Sequence, residues 1–303
     1  MTIPFFLNIR DLITIVAPSG KVNPEYVLRS KFVLESWGFR VELGKSVFNE
    51  YGRFAGTPEE RLYDIQTALD NPESKAVFCA RGGYGVVQLL ENLSLESFKK
   101  NPKWLIGYSD ITALHAQINN AGICSIHAPM SSHLAEKGND KASLYLKDLL
   151  FGKSICYKIK THPLNKPGEV KGILRGGNLS VLSGLRGTPY DFPASNTILF
   201  IEDVGEKAYH VERMMYNLKL SKVLQNISGL IVGQFSECEE DPLMKKSIYE
   251  SIFDLVADYN YPVCFNFPVG HVKNNFPLIC GKNTALQISP ESLKKHQNIC
   301  FLK

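Results

Sequence analysis

In the stretch "WLIGYSDITALH", Trp104 to His115, an apolar run ends in Gly107, Tyr108 and Ser109, and a helix-like pattern begins at once. A strand that turns sharply into a helix lifts one side chain above the sheet edge and aims the first free N–H groups of the helix at the same spot. That geometry suits a nucleophile, because the oxyanion formed in acyl transfer meets backbone donors already in place. "GYSDI" matches the first part of G-x-S-x-G, with Ile111 where the second glycine would stand. The competing reading is that Ser109 is a helix cap, since a serine at a helix start satisfies an orphan N–H.

A serine nucleophile needs a base, and the base needs an orienting acid. Seven histidines are available. His115 lies on the same expected helix as Ser109, about a turn and a half further on, and so points away from it. His127 ends an apolar run, while His133, His162, His210 and His296 sit in polar segments and read as surface residues. His271 follows "NFPVG" and so stands on a Gly-flanked loop beyond an apolar strand, a common place for catalytic groups. For the acid, "FIEDVGE" puts Glu202 and Asp203 at the end of a strand. Neighbours in an extended segment face opposite sides, so only one of the two can serve a given site. A solvated strand terminus is the alternative for both.

"CARGGYG", Cys79 to Gly85, is a glycine-rich loop after an expected strand. It lacks G-K-[ST] and G-x-G-x-x-G, so a nucleotide cradle has little support. The other reading brings Gly82 and Gly83 beside Ser109, adding a second oxyanion donor to the Asp110 N–H. Arg81, next to these glycines, could grip a carboxylate in two-pronged fashion or form a structural salt bridge. Arg175 and Arg186 are its rivals. With no H-E-x-x-H, no paired Cys/His spacing and no dense Asp cluster, no metal or other cofactor is expected.

The elements that must carry these residues alternate through the first half. Expected strands are "LITIVAPS", "RVELG", "KAVFCA", "KWLIGY" and "CSIHAP". Between them lie expected helices over "NPEYVLRSKFVLESWGF", "TPEERLYDIQTALDNP", "YGVVQLLENL" and "ITALHAQINNAG", the second opening on Thr57 as cap and Pro58 at the first helical position. This alternation, with continuously apolar strands, implies a mostly parallel sheet with helices on both faces. The rhythm changes near Leu149. The boundaries expected are an N-terminal α/β domain over 1–150, a linker region over 151–171 and a mixed α/β C-terminal domain over 172–303. In the last, "TILFIED", "GLIVGQF", "PVCFNFPVG" and "TALQISP" read as strands, and "YHVERMMYNLKL" and "DPLMKKSIYESIFDLVADYN" as helices.

The bulk numbers exclude several classes. The chain has 303 residues, 44% hydrophobic and 21% charged, enough for a sizeable core and unlike a disordered protein. A net charge of +4 offers no clustered basic face for nucleic acid, and the pairs Lys99-Lys100, Lys245-Lys246 and Lys294-Lys295 read as solvated faces. No run is long and apolar enough to suggest a membrane span, and the N-terminus does not read as a signal peptide. Seven cysteines without a C-x-x-C pair suggest reduced, buried thiols rather than a disulfide framework.

Taken together, "APSG", "RGGYG", "GYSD", "RGGNLSVL…GTP", "FIEDVGE…ERM" and "PVGH" occur in this order between about Ile13 and Leu286. The chain thereby resembles the serine LD-carboxypeptidases, the muramoyltetrapeptide carboxypeptidase family, which includes the microcin C self-immunity proteins. The resemblance implies a flavodoxin- or amidotransferase-like N-terminal domain and a smaller C-terminal domain of barrel-like character. It implies Ser109 as nucleophile, Glu202 rather than Asp203 as acid and His271 as base, with Gly83 and Asp110 as oxyanion donors. Arg81, Gly82 and Tyr84 become candidate substrate contacts. The implied reaction is release of terminal D-Ala from murein tetrapeptides in cytoplasmic wall recycling, by a protein that is often a homodimer. Two alternatives remain: an immunity-type amidase acting on aminoacyl-nucleotide antibiotics, and a non-catalytic peptide-binding protein. Only Trp37 and Trp104 could offer an indole to a base, and both sit in expected core elements.

Overall fold

The computed structural model describes residues 1–289 and 296–301. Lys294 and Lys295 lie outside the described residues. In chain order the strands are β1 (Leu12–Val16), β2 (Arg40–Leu43), β3 (Ser74–Cys79), β4 (Trp104–Gly107), β5 (Ser125–His127), β6 (Cys156–Lys160), β7 (Gly168–Asn178), β8 (Thr197–Val204), β9 (Gly229–Ser236), β10 (Val263–Cys264), β11 (Leu278–Cys280), β12 (Asn283–Ile288) and β13 (His296–Phe301). They build two sheets in two compact units. The first unit comprises Met1–Ser154 with Phe276–Gly281, and the second Ile155–Asn275 with the described residues from Lys282 onward.

In the first unit the strand order is β11-β5-β4-β3-β1-β2, parallel except for β11, which runs antiparallel to β5. The order β2-β1-β3-β4-β5 is the flavodoxin-like one. Its switch point lies between β1 and β3, where ligands of such sheets bind beyond the strand C-termini. The strands β1, β4 and β5 are continuously buried because helices flank the sheet, whereas the edge strand β2 is partly exposed. Helix starts follow local chemistry. The Asn23 side chain caps Pro24–Ser36, and Thr57 and Glu60 form a capping box at Pro58–Asp70. The helix expected over "YGVVQLLENL" is only a single 3₁₀ turn, Val86–Gln88. Gly85 there has φ +134°, and the Val86 N–H donates to the Asp110 carboxylate, which takes the turn out of any longer helical ladder.

The second unit holds the sheet β10-β9-β8-β7-β12-β13-β6. β7 to β10 are parallel, while β12, β13 and β6 are antiparallel. Among the described residues no pairing joins β10 to β6, so the barrel-like character expected is that of an open sheet. Helices Leu179–Leu185, Ala208–Leu220 and Ile248–Val256 pack on it, with Met215, Leu218, Leu230, Val232 and Ile252 in the core. The long helix expected from Asp241 starts only at Ile248. Lys245 adopts φ +56°, which breaks any helix upstream, and Ser247 forms a capping box with Glu250.

One expectation is corrected here. Cys156 and Cys300 are directly opposed on β6 and β13 and are joined by a disulfide, although both were expected to be reduced. The strand register that opposes them was not visible in a sequence separation of 144 residues. Among the described residues the other five cysteines form no disulfide.

Candidate active site

Ser109 sits between β4 and the helix Thr112–Asn120, at the start of a 3₁₀ turn. Its φ is +65°, a left-handed conformation that a non-glycine residue adopts at a cost of roughly 1–3 kcal/mol. The side chain does not cap the turn. The strained backbone therefore presents the hydroxyl instead of burying it, and the residue is only partly buried. The glycines around it are required by close packing. A Cβ on Gly82 would lie 2.7 Å from the Ser109 Cβ, and one on Gly107 would lie 3.0 Å from Ile111. Ile111 is fully buried and fills the space that a bulkier residue at 107 would need.

The loop after β3 follows the same turn. Gly83 has φ +118°, and the carbonyl of Gly82 accepts from the Gly20 N–H at 3.1 Å. The N–H groups of Gly83 and Asp110 have no intramolecular acceptor among the described residues. Arg81 is exposed and donates to the Lys21 carbonyl at 2.6 Å, with no ion-pair partner among the described residues. A cleft of about 330 Å³ opens beside it, lined also by Asn23, Tyr26 and Ser132. Tyr84 is exposed, tilted against Phe54. Arg186, by contrast, is engaged by Asp191.

His115 is buried, with Nε2 at 2.9 Å from the Gly107 carbonyl and Nδ1 at 2.8 Å from the Ser125 hydroxyl. Burial pushes its pKa down to about 4, against the Gly107 hydrogen bond. It is thus a neutral strut under the turn. His127 is buried at the end of β5, edge-on to Tyr108. His133 and His162 are less exposed than their polar surroundings suggest: His133 bonds to Asp140, and His162 packs against Tyr249 and Phe265.

In the second unit the end of β8 carries Glu202, which is fully buried. Its Oε2 lies 2.8 Å from Nδ1 of His271. Gly270 makes this approach possible: its φ is +122°, and a Cβ there would fall 2.7 Å from that same carboxylate oxygen. Its N–H is held by the buried Asn275 at 3.0 Å. Burial pulls the His271 pKa down, but the Glu202 carboxylate, aided by Asp203 and Glu237, outweighs it and leaves the imidazole raised. Asp203 faces away to a separate task. Its oxygens accept from Asn178 Nδ2 at 2.7 Å and from the Ser180 N–H at 2.9 Å, and burial raises its pKa to about 6. The structure therefore separates the two acids: Glu202 meets the histidine, and Asp203 anchors the start of the preceding helix, Leu179–Leu185.

The first unit thus carries a strained serine beside free backbone donors, and the second a buried carboxylate–imidazole pair. These are the parts of a hydrolase. Residues 13–128 match the LD-carboxypeptidase N-terminal domain and residues 171–286 the LD-carboxypeptidase C-terminal domain, and the chain belongs to this family. It is 32% identical over 299 residues to the "Probable murein peptide carboxypeptidase" of Bacillus subtilis, covering 95% of this chain and 92% of the relative. The crystal structure of muramoyltetrapeptide carboxypeptidase from Oxalobacter formigenes superposes with a TM-score of 0.87 at 29% identity, over 96% of this chain and 99% of that one. The microcin C7 self immunity protein MccF, in complex with aspartyl sulfamoyl adenosine, shares the fold. Its TM-score is 0.86 at 23% identity, over 99% of this chain and 98% of that one.

Proposed function

We propose that this enzyme is a serine LD-carboxypeptidase that releases the terminal D-Ala from murein tetrapeptides through a Ser109–His271–Glu202 triad. The observation that carries the reading is the 2.8 Å contact between buried Glu202 and Nδ1 of His271. It assigns the proton to Nδ1 and leaves Nε2 as the basic nitrogen. Nε2 takes the Ser109 proton as Oγ attacks the carbonyl of the penultimate residue. The N–H groups of Gly83 and Asp110 receive the oxyanion. As the tetrahedral intermediate collapses, His271 protonates the D-Ala amine and an acyl-enzyme remains. Water, deprotonated by His271, then releases the shortened peptide and restores Ser109. Arg81, with Gly82 and Tyr84 beside it, holds a substrate carboxylate in the adjoining cleft.

The relative from Bacillus subtilis and the structure from Oxalobacter formigenes support the substrate class by what they are named for. The same reading places the reaction in cytoplasmic wall recycling by a homodimer, which light scattering after gel filtration would test. The immunity-type amidase draws no support from the tryptophans, since Trp37 and Trp104 are buried and cannot stack on a base.

The test is mass spectrometry on the purified protein with an LD-linked muropeptide tetrapeptide, an all-L peptide and an aminoacyl sulfamoyl adenosine. Loss of one D-Ala from the LD peptide alone, undiminished by chelators and reduced about 10⁴-fold or more in Ser109→Ala, is expected. Cleavage of the nucleoside instead would transfer the assignment to the amidase. Tight peptide binding without turnover would favour the binding protein.

A further inference from the structure

Asp110 follows the nucleophile directly, yet its side chain is buried, with 4% of its surface exposed. One carboxylate oxygen, Oδ2, accepts from the Ser19 hydroxyl at 2.5 Å and from the Val86 N–H at 3.0 Å. Ser19 lies on the loop after β1, and Val86 closes the glycine loop after β3. On the other side of the same loops lies Arg61, 1% exposed, whose guanidinium donates to the carbonyls of Pro18 and Gly85, each at 2.9 Å. It also reaches Gly56 at 3.3 Å and Gln88 at 2.5 Å. Its bonds among the described residues all go to carbonyl and amide oxygens and none to a carboxylate.

The cation and the anion therefore grip the same two places from opposite ends. The Gly85–Val86 peptide gives its C=O to Arg61 and its N–H to Asp110. At Pro18 and Ser19, the carbonyl goes to Arg61 and the hydroxyl to Asp110. A buried charge is tolerated only when it is paired or well hydrogen-bonded, and here each charge is answered through the peptide groups between them. Gly82 and Gly83 lie within the span so clamped, and Gly82 already touches Ser109.

We infer that Asp110 is a positioning residue whose side chain, with Ser19 and Arg61, sets the glycine loop and its Gly83 N–H against Ser109. The inference deepens the reading of Ser109 as nucleophile and rests on it. Displacing such donors by about 1 Å can slow acylation by about 100-fold without weakening the binding of remote substrate groups.

The experiment measures the rate at which a fluorophosphonate probe labels Ser109, which needs no knowledge of the natural substrate. Asp110→Asn should fold, with an unchanged circular dichroism spectrum, and label about 10- to 100-fold more slowly. On the tetrapeptide it should lower kcat and leave KM nearly constant. Ser19→Ala should slow labelling by a smaller factor, Ser19→Thr should restore it, and the two losses should be non-additive in the double variant. Equal labelling of folded Asp110→Asn and wild type would overturn the inference while leaving Ser109 as nucleophile. Absence of labelling in folded wild type would overturn both. If Asp110→Asn does not fold, the Ser19 pair decides: unchanged labelling in Ser19→Ala removes the clamp, and slowed labelling rescued by Ser19→Thr sustains it.

Discussion

A left-handed φ at Ser109 makes sense only if the surroundings hold it, and Gly82 is the nearest of them. A methyl group there has nowhere to go, because the atom it meets belongs to the strained residue itself. Gly82→Ala should lower activity by about 100-fold or more through displacement of Oγ. It should also destabilise the fold by about 1–3 kcal/mol, the usual range for overpacking, as read from urea midpoints. At His271 the neighbouring carboxylates stabilise the imidazolium, so its pKa lies above the ordinary 6.5. A general base must start neutral, so kcat/KM should fall as pH drops through that raised value. Glu202→Gln removes the stabilising charge. Its acid limb should move to lower pH, while the pH-independent kcat falls about 10⁴-fold as tautomer and imidazolium support are lost. A limb that stays in place would detach Glu202 from the titration.

The junction of β4 with the following helix is braced from below by His115, whose ring joins the Gly107 carbonyl to the Ser125 hydroxyl on β5. Folding depresses its pKa from 6.5 to about 4, so the unfolded chain binds this proton more readily. The contribution of neutral His115 is complete above pH 6.5 and is lost as pH falls from there towards 4. Across that window it amounts to about 3 kcal/mol. His115→Gln, which cannot titrate, should flatten this part of the acid dependence in urea melts at pH 7 and pH 4.5. An equal slope in both proteins would place the titration elsewhere. The sequence already set His115 apart from catalysis by its distance along the helix, but its bonds to β5 depend on a pairing that periodicity does not report.

At the scale of the molecule, what was legible in the sequence is what is local. The apolar runs of β1, β3, β4, β8 and β9 could be read directly, as could the Thr57 cap and the turn at Ser109. The choice of Glu202 over Asp203 came only with the family resemblance, since alternation alone allowed either. Their different partners become visible in the packed structure. The 3₁₀ turn at Val86 escaped because its N–H is taken by a side chain 24 residues away. The Cys156–Cys300 bond escaped because it depends on β6, β13 and their register. β11 escaped for the same reason: "LIC" is too short to declare itself, and it joins β5 from far along the chain.

That returning strand has a consequence for synthesis on the ribosome. β5 ends at His127, but its antiparallel neighbour begins at Leu278. Roughly 150 residues must be translated between them, which at about 5–20 residues per second takes about 8–30 s. Through that interval the nascent first sheet has a bare edge at Ser125–His127, a strand buried throughout in the finished fold, open to pairing with another chain. Ribosome-bound chaperones would find their period of greatest use on this polypeptide between the emergence of β5 and the emergence of β11.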